Sequence, residues 1–167
     1  MTSSILFVCL GNICRSPSAE AVVRGLAAKQ GLPLRLDSAG TGGWHAGEPP
    51  YGPMQATGQA RGLAMSDLRA RQIRVQDFAD FDLILAMDDN NLADIEALRP
   101  AGDATPLHRF TDYLPEDSRF AGATEVPDPW YSRDFDGALD LIEACAAGLL
   151  KSVSGTAGSK GQPRPAG

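Results

Sequence analysis

The chain has 167 residues, 43% of them hydrophobic and 22% charged, and a formal net charge of −6. That length suits one domain with one buried core, and the composition is that of an ordinary globular protein. The acidic balance argues against nucleic acid or an anionic membrane as the main partner; because Lys151, Lys160 and Arg164 fall after residue 150, the body is more acidic still.

Residues 4–8 form a short apolar run, the pattern of a strand buried on both faces. No run approaches the ~20 apolar residues needed to cross a bilayer, and Ile5 to Leu10 is too short for a secretion signal. A cytoplasmic protein with no membrane insertion is expected. After a loop, Ser16-Pro17 reads as an N-cap followed by proline at the first helical position. Ala19, Val22, Val23 and Leu26 then recur at helical spacing, and Gly31 supplies the stop. Leu34 to Leu36 reads as a second strand ending at Asp37-Ser38. Residues 39–53, rich in Gly and Pro and holding Trp44 and Tyr51, read as a long surface loop. A helix is expected over 53–63 and a helical turn from Val75 to Phe81. The third strand is expected at Asp82 to Met87, then a helix from Asp88 to Leu98 capped by Asp88 or Asp89, and a fourth strand at Thr105 to Leu107. Val126 to Tyr131 reads as a Pro-containing loop. Phe135, Ala138, Leu139, Ile142, Ala146, Leu149 and Leu150 mark a C-terminal amphipathic helix. The folded domain is expected to span 1–151, with 152–167, almost without large apolar groups, as a disordered tail.

Strands alternating with helices imply a single α/β domain: a parallel sheet with helices on both faces. Ligands of such sheets bind beyond the strand C-termini, where the strand order reverses. The loop Cys9-Leu10-Gly11-Asn12-Ile13-Cys14-Arg15-Ser16 joins the first strand to the first helix and so belongs to such a place.

Its residue types suit one chemistry. Backbone N–H groups between Cys9 and Arg15 can curl around phosphate oxygens, and the helix N-terminus adds positive potential. Gly11 is expected to allow the turn, and Arg15 offers a planar fork of donors. The same dipoles favour the nucleophilic thiolate form of a cysteine placed there. The loop and Arg15 supply the electrostatics themselves, so no metal or other cofactor is expected. The other cysteines are Cys14 and Cys145. An odd count of three suggests no disulfide framework, and neither they nor the isolated His45 and His108 have zinc-ligand spacing. Cys145 and the two histidines are read as packing or surface groups. A leaving oxygen needs an acid, and Asp128, between Pro127 and Pro129 and followed by Trp130 and Tyr131, is the best candidate.

The stretch from Val8 to Glu20 closely resembles the phosphate-binding loop of the low-molecular-weight protein tyrosine phosphatases. The resemblance extends to Asp37-Ser38-Ala39-Gly40-Thr41 with Trp44, to Ala70-Arg71-Gln72, to Met87-Asp88 with Asn91, and to Pro127-Asp128-Pro129-Trp130-Tyr131. It implies a three-layer, flavodoxin-like fold on a four-stranded parallel sheet. It implies Cys9 as nucleophile, Arg15 as phosphate clamp and Asp128 as general acid, with a phosphocysteine intermediate. Leu10, Gly11, Asn12, Ile13, Cys14 and Ser16 would surround the phosphate; Trp44 and Tyr131 would line the substrate groove. Asn12, Ser16 and Ser38 would support the loop, and Cys14 would be a reserve thiol under peroxide, the alternative being a small apolar packing residue. The implied partner is a phosphotyrosine protein, a bacterial tyrosine kinase being one such substrate, and a monomer is expected. Leu68 stands where many relatives carry a histidine that braces the loop asparagine, so this brace is expected to be looser or built differently.

Three other readings compete. Arsenate reductases share the loop but relay oxidation through further cysteines, and residues 73–100 contain none. Protein-arginine phosphatases resemble it but tend to carry threonine where this chain has Ile13. An inactive anion-binding module would bind without turnover, and the presence of Cys9, Arg15 and Asp128 together speaks against it.

Overall fold

The first strand, β1, spans Ser4–Cys9, and all six residues are buried, as an unbroken apolar run requires. The computed structural model describes the backbone of residues 2–160 and the side chains of 2–154. On one side β1 pairs in parallel with β2 (Arg35–Gly40), on the other with β3 (Leu83–Ala86), beyond which lies β4 (Leu107–Arg109). The resulting order, β2-β1-β3-β4, reverses direction at β1, so a crevice opens where β1 ends.

Side-chain alternation along β1 divides the interior into two layers. Ile5 and Phe7 face the larger cluster, formed with α1 (Arg15–Lys29) and α6 (Phe135–Lys160) through Val22, Val23, Leu139, Ile142 and Leu149. Leu6 and Val8 face the smaller one, with Phe78 of α3 (Asp77–Asp80) and Ile95 of α4 (Asp89–Glu96). Cys145 is wholly buried in the larger cluster, as expected of a packing residue. Two short helices, α2 (Gly52–Gln59) and α5 (Pro129–Ser132), and a 3-10 turn over Phe110–Tyr113 complete the elements. Among the described residues, no helix is long and apolar enough to cross a membrane.

Several boundaries differ from expectation. Helix α1 starts at Arg15 with Cys14 as its N-cap; Ser16 is no cap, because its hydroxyl turns inward onto Cys9. At the other end Gly31 takes φ 67°. Leu32 N–H donates to Ala27 O at 2.9 Å and Gly31 N–H to Ala28 O at 3.2 Å, the paired closure a left-handed residue permits. Strand β2 runs on to Gly40, since Ser38, Ala39 and Gly40 stay in register with Phe7, Val8 and Cys9. Helix α2 stops at Gln59, and Gly62 at φ 78° turns the chain away. Strand β4 lies two residues later than expected, after Pro106, whose carbonyl accepts from Ile84 N–H. The loop expected through Tyr131 contains α5, capped by Asp128 with Pro129 at the start. Helix α6 reaches Lys160, so residues 152–160 are helical where a disordered tail was expected. Val153, buried, extends the stripe of Leu149 and Leu150 and carries the helix past 151. The rest of that expected tail, 161–167, lies outside the described residues.

Candidate active site

Cys9 is the last residue of β1 and Arg15 the first of α1, so residues 10–14 close a short loop over the helix N-terminus. Cys9 Sγ lies 3.0 Å from Ser16 Oγ and accepts Asn12 N–H at 3.2 Å. Ser16 Oγ has one proton and two neighbouring acceptors, Cys9 Sγ and Ala39 O, the latter at 3.3 Å. A thiolate at Cys9 is the stronger acceptor, so the Ser16 hydroxyl donates its hydrogen bond to the sulfur.

The left-handed turn falls on Asn12, at φ 58°, and not on Gly11. Asparagine tolerates that conformation, and its amide is fixed on three sides. Nδ2 donates to Ser16 Oγ at 2.8 Å and Ser38 Oγ at 3.0 Å, while Oδ1 accepts Arg71 N–H at 3.0 Å. Ser38 Oγ in turn donates to Glu20 Oε1 at 2.8 Å. Burial pushes the Glu20 carboxyl pKa up, partly offset by its bonds from Ser38 and Arg24. Gly11 matters for a different reason: a Cβ there would meet His45 Cδ2 at 3.1 Å.

Leu68 only packs, half-buried, against the core. The brace is built instead from Arg71, whose guanidinium donates to both oxygens of Asp77 at 3.0 Å and, through Nε, to Asp37 Oδ2 at 3.1 Å. Asp77 is fully buried and also accepts Arg74 N–H at 2.8 Å. The two strands of support meet at Gly40, whose N–H donates to Arg71 O and whose carbonyl accepts Ile73 N–H, both at 2.8 Å. A Cβ on Gly40 would lie 2.6 Å from Leu10 O and 3.1 Å from Gly11 C. Gly40→Ala is therefore expected to push the loop outward, costing about 1–3 kcal/mol of stability. Denaturant unfolding combined with an aryl phosphate assay would show whether both fall together.

Arg15 is 2% exposed. Its Nη1 donates to Asp88 Oδ2 at 2.6 Å and Val126 O at 3.1 Å, and its Nη2 lies 3.4 Å from Asp128 Oδ2. Burial opposes the charge, but Cys9, Asp88 and Asp128 outweigh it and hold the guanidinium pKa above its ordinary value. Arg15 Nε is buried without a partner among the described residues. Asp128 keeps its other oxygen on Trp130 N–H at 3.0 Å.

These groups line one cavity of about 250 Å³. Cys9, Arg15 and Asp128 all border it, with Leu10, Gly11, Ile13 and Cys14 from the loop and Trp44 and Tyr131 at the mouth. Trp44 and Tyr131 are 71% and 76% exposed, rings held open to solvent. Asn12 and Ser16 are not among the lining residues; their side chains lie beneath, used in the brace with Ser38. Burial first, then the proximity of Cys9 and Asp128, pushes the Cys14 thiol up to about 12. Cys9, Cys14 and Cys145 are all free thiols.

Sequence reasoning missed several participants. His45, read as surface or packing, lines the cavity beside Trp130, and so does Trp130 itself. Asp88 was read as a helix cap, which it is, accepting Asn91 N–H at 2.7 Å; its other oxygen holds Arg15. Its place at the C-terminal edge of β3 was the signal available. Glu20 and Arg71 gave none beyond their motifs.

A family model described as low molecular weight phosphotyrosine protein phosphatase matches residues 4–158. The low molecular weight protein-tyrosine-phosphatase YfkJ of Bacillus subtilis is 44% identical over 152 residues, covering 90% of this chain and 95% of that protein. The crystal structure of YfkJ superposes with a TM-score of 0.86 at 42% identity, covering 93% of this chain and 97% of that one. A crystal structure named as a Drosophila arginine phosphatase superposes with a TM-score of 0.81 at 31% identity, covering 92% and 98%. The match over nearly the whole length, on a fold and loop of this geometry, places the chain in the low molecular weight phosphotyrosine protein phosphatase family.

Proposed function

We propose that the chain hydrolyses phosphotyrosine in proteins, and small aryl phosphates, through a phosphocysteine at Cys9. The observation that carries this reading is the convergence of Cys9, Arg15 and Asp128 on one cavity. In the first step the Cys9 thiolate attacks phosphorus in line, and the phosphorus–oxygen bond to tyrosine breaks. Asp128 gives its proton to the departing phenolate. Arg15 and the loop amides meet the charge on the phosphoryl oxygens, the unpartnered Arg15 Nε being a donor suited to one of them. In the second step Asp128 takes a proton from water, which attacks phosphorus and releases phosphate and the thiolate. Ser16 donates to the sulfur at both stages, and Asn12 and Ser38 keep the loop in shape.

Trp44 and Tyr131 wall a groove for the tyrosyl ring, and Ile13 adds an apolar side that suits an aryl ester. Turnover of a phosphotyrosine peptide well above that of the matched phosphoarginine peptide is the expected result. The reverse preference would assign the chain the activity named for its Drosophila neighbour. For Cys14 we retain the reserve role: peroxide oxidises Cys9 to a sulfenic acid, which condenses with the Cys14 thiol to a disulfide and water. A cytoplasmic monomer acting on a bacterial tyrosine kinase fits this reading, by family analogy alone. Asp128→Ala, binding substrate but releasing it slowly, would identify the protein it holds.

A further inference from the structure

Beside the cavity, Arg133 combines two unusual features. It ends α5 in the left-handed conformation, at φ 61° and ψ 12°, a place that usually selects glycine or asparagine. It is also a solvent-exposed guanidinium that no carboxylate pairs with among the described residues. Arg61, Arg71, Arg99 and Arg109, in contrast, each hold an acid. Arg133 is held by rings instead. Its Cζ lies 5.3 Å from the Tyr51 ring centroid and 5.1 Å from that of Phe135, and its Nη2 donates to Tyr51 Oη at 3.1 Å. Tyr51 packs at 4.8 Å on Trp130, which walls the cavity. The positive charge therefore stands one ring outside the pocket mouth.

A cation fixed on aromatic faces and left without an acid, on a protein of net charge −6, is available to an anion that arrives with the substrate. Resting on the phosphotyrosine reading above, we propose that Arg133 is a specificity-determining residue that selects phosphotyrosine peptides with an acidic side chain near the phosphotyrosine. Arg15 and the loop hold the phosphate, while Arg133 pairs with the second negative group outside the pocket. A small aryl phosphate does not reach it.

The test compares kcat/KM for p-nitrophenyl phosphate with that for matched phosphotyrosine peptides carrying Glu, Gln or Lys at each flanking position. The wild type is expected to favour a Glu peptide over its Gln counterpart by about fivefold at low salt, the margin shrinking as salt rises. Arg133→Gln should abolish that margin, and Arg133→Lys should keep part of it. Arg133→Gly removes the backbone strain along with the charge and should behave as Arg133→Gln does. All three should turn over p-nitrophenyl phosphate at the wild-type rate. A wild type indifferent to flanking charge, or a Gln variant that keeps the margin, overturns the inference while p-nitrophenyl phosphate turnover stands. Failure of the wild type on every aryl ester overturns the underlying reading as well.

Discussion

Cys9→Ser is expected to lower turnover of phosphotyrosine and aryl phosphates by at least about 10⁴-fold. The substitution keeps size and burial at a site only 3% exposed, so the fold and its melting behaviour should hardly change. What disappears is the nucleophile. A serine hydroxyl gives up its proton far less readily than a thiol, and the loop offers no base in hydrogen-bond contact with position 9 to take it. Among the described residues the Cys9 sulfur is hydrogen-bonded by Asn12 N–H and the Ser16 hydroxyl, donors that suit an anion and are poor at generating an alkoxide. Arg15 and the loop amides remain, so inorganic phosphate should still inhibit or bind as it does with the wild type. Steady-state kinetics with a calorimetric phosphate titration checks both halves. Retained turnover in the serine variant would show that another group attacks.

Asp128→Asn is expected to lower kcat on phosphotyrosine by about 10²–10⁴-fold. The loss should be smaller on p-nitrophenyl phosphate, whose leaving group needs a proton less. This difference separates an acid from a merely structural residue. Asp128 also caps α5 through Trp130 N–H at 3.0 Å, and asparagine accepts that bond equally well. Stability should therefore move little while the leaving-group dependence steepens. Equal losses on both substrates would point away from acid catalysis; Asp88, whose carboxylate holds Arg15 at 2.6 Å, would be the next group to test.

Cys9 and Arg15 could be picked out because they lie close in the chain, and Asp128 by its immediate neighbours, although it meets Arg15 from 113 residues away. Cys9 and Arg15 sit six positions apart, at a strand end and a helix start, and Asp128 carries its own proline frame. The supporting groups were harder to see because topology, not proximity in the chain, makes their contacts. Arg15 and Asp88 are 73 residues apart, and Asn12 and Arg71 are 59 apart. They meet because β3 pairs with β1, Val8 opposite Ala86, which sets Asp88 beside the loop. Arg71 meets Asn12 because Gln72 bridges to Gly40. His45 lay in a stretch with no periodicity, so nothing indicated that it closes over Gly11. Local rules also misplaced two features. Ser16 has the makings of a helix cap, but the hydrogen-bond demand of Cys9 and Asn12 outbid the helix. Gly11 looked like the turn residue, yet Asn12 takes the left-handed conformation because its amide has three partners there. Composition at the C-terminus suggested disorder from 152, while a single apolar residue, Val153, keeps α6 attached.

In the proposed mechanism phosphate passes through sulfur at Cys9. Rapid acid quench of wild-type enzyme during turnover of an aryl phosphate, followed by peptide mass analysis, tests it most directly. One phosphoryl group on the peptide containing Cys9, formed within the first turnover and absent from Cys9→Ser, is the predicted result. A phosphoryl group on any other residue, or a pre-steady-state burst of phenol that survives in Cys9→Ser, would contradict it.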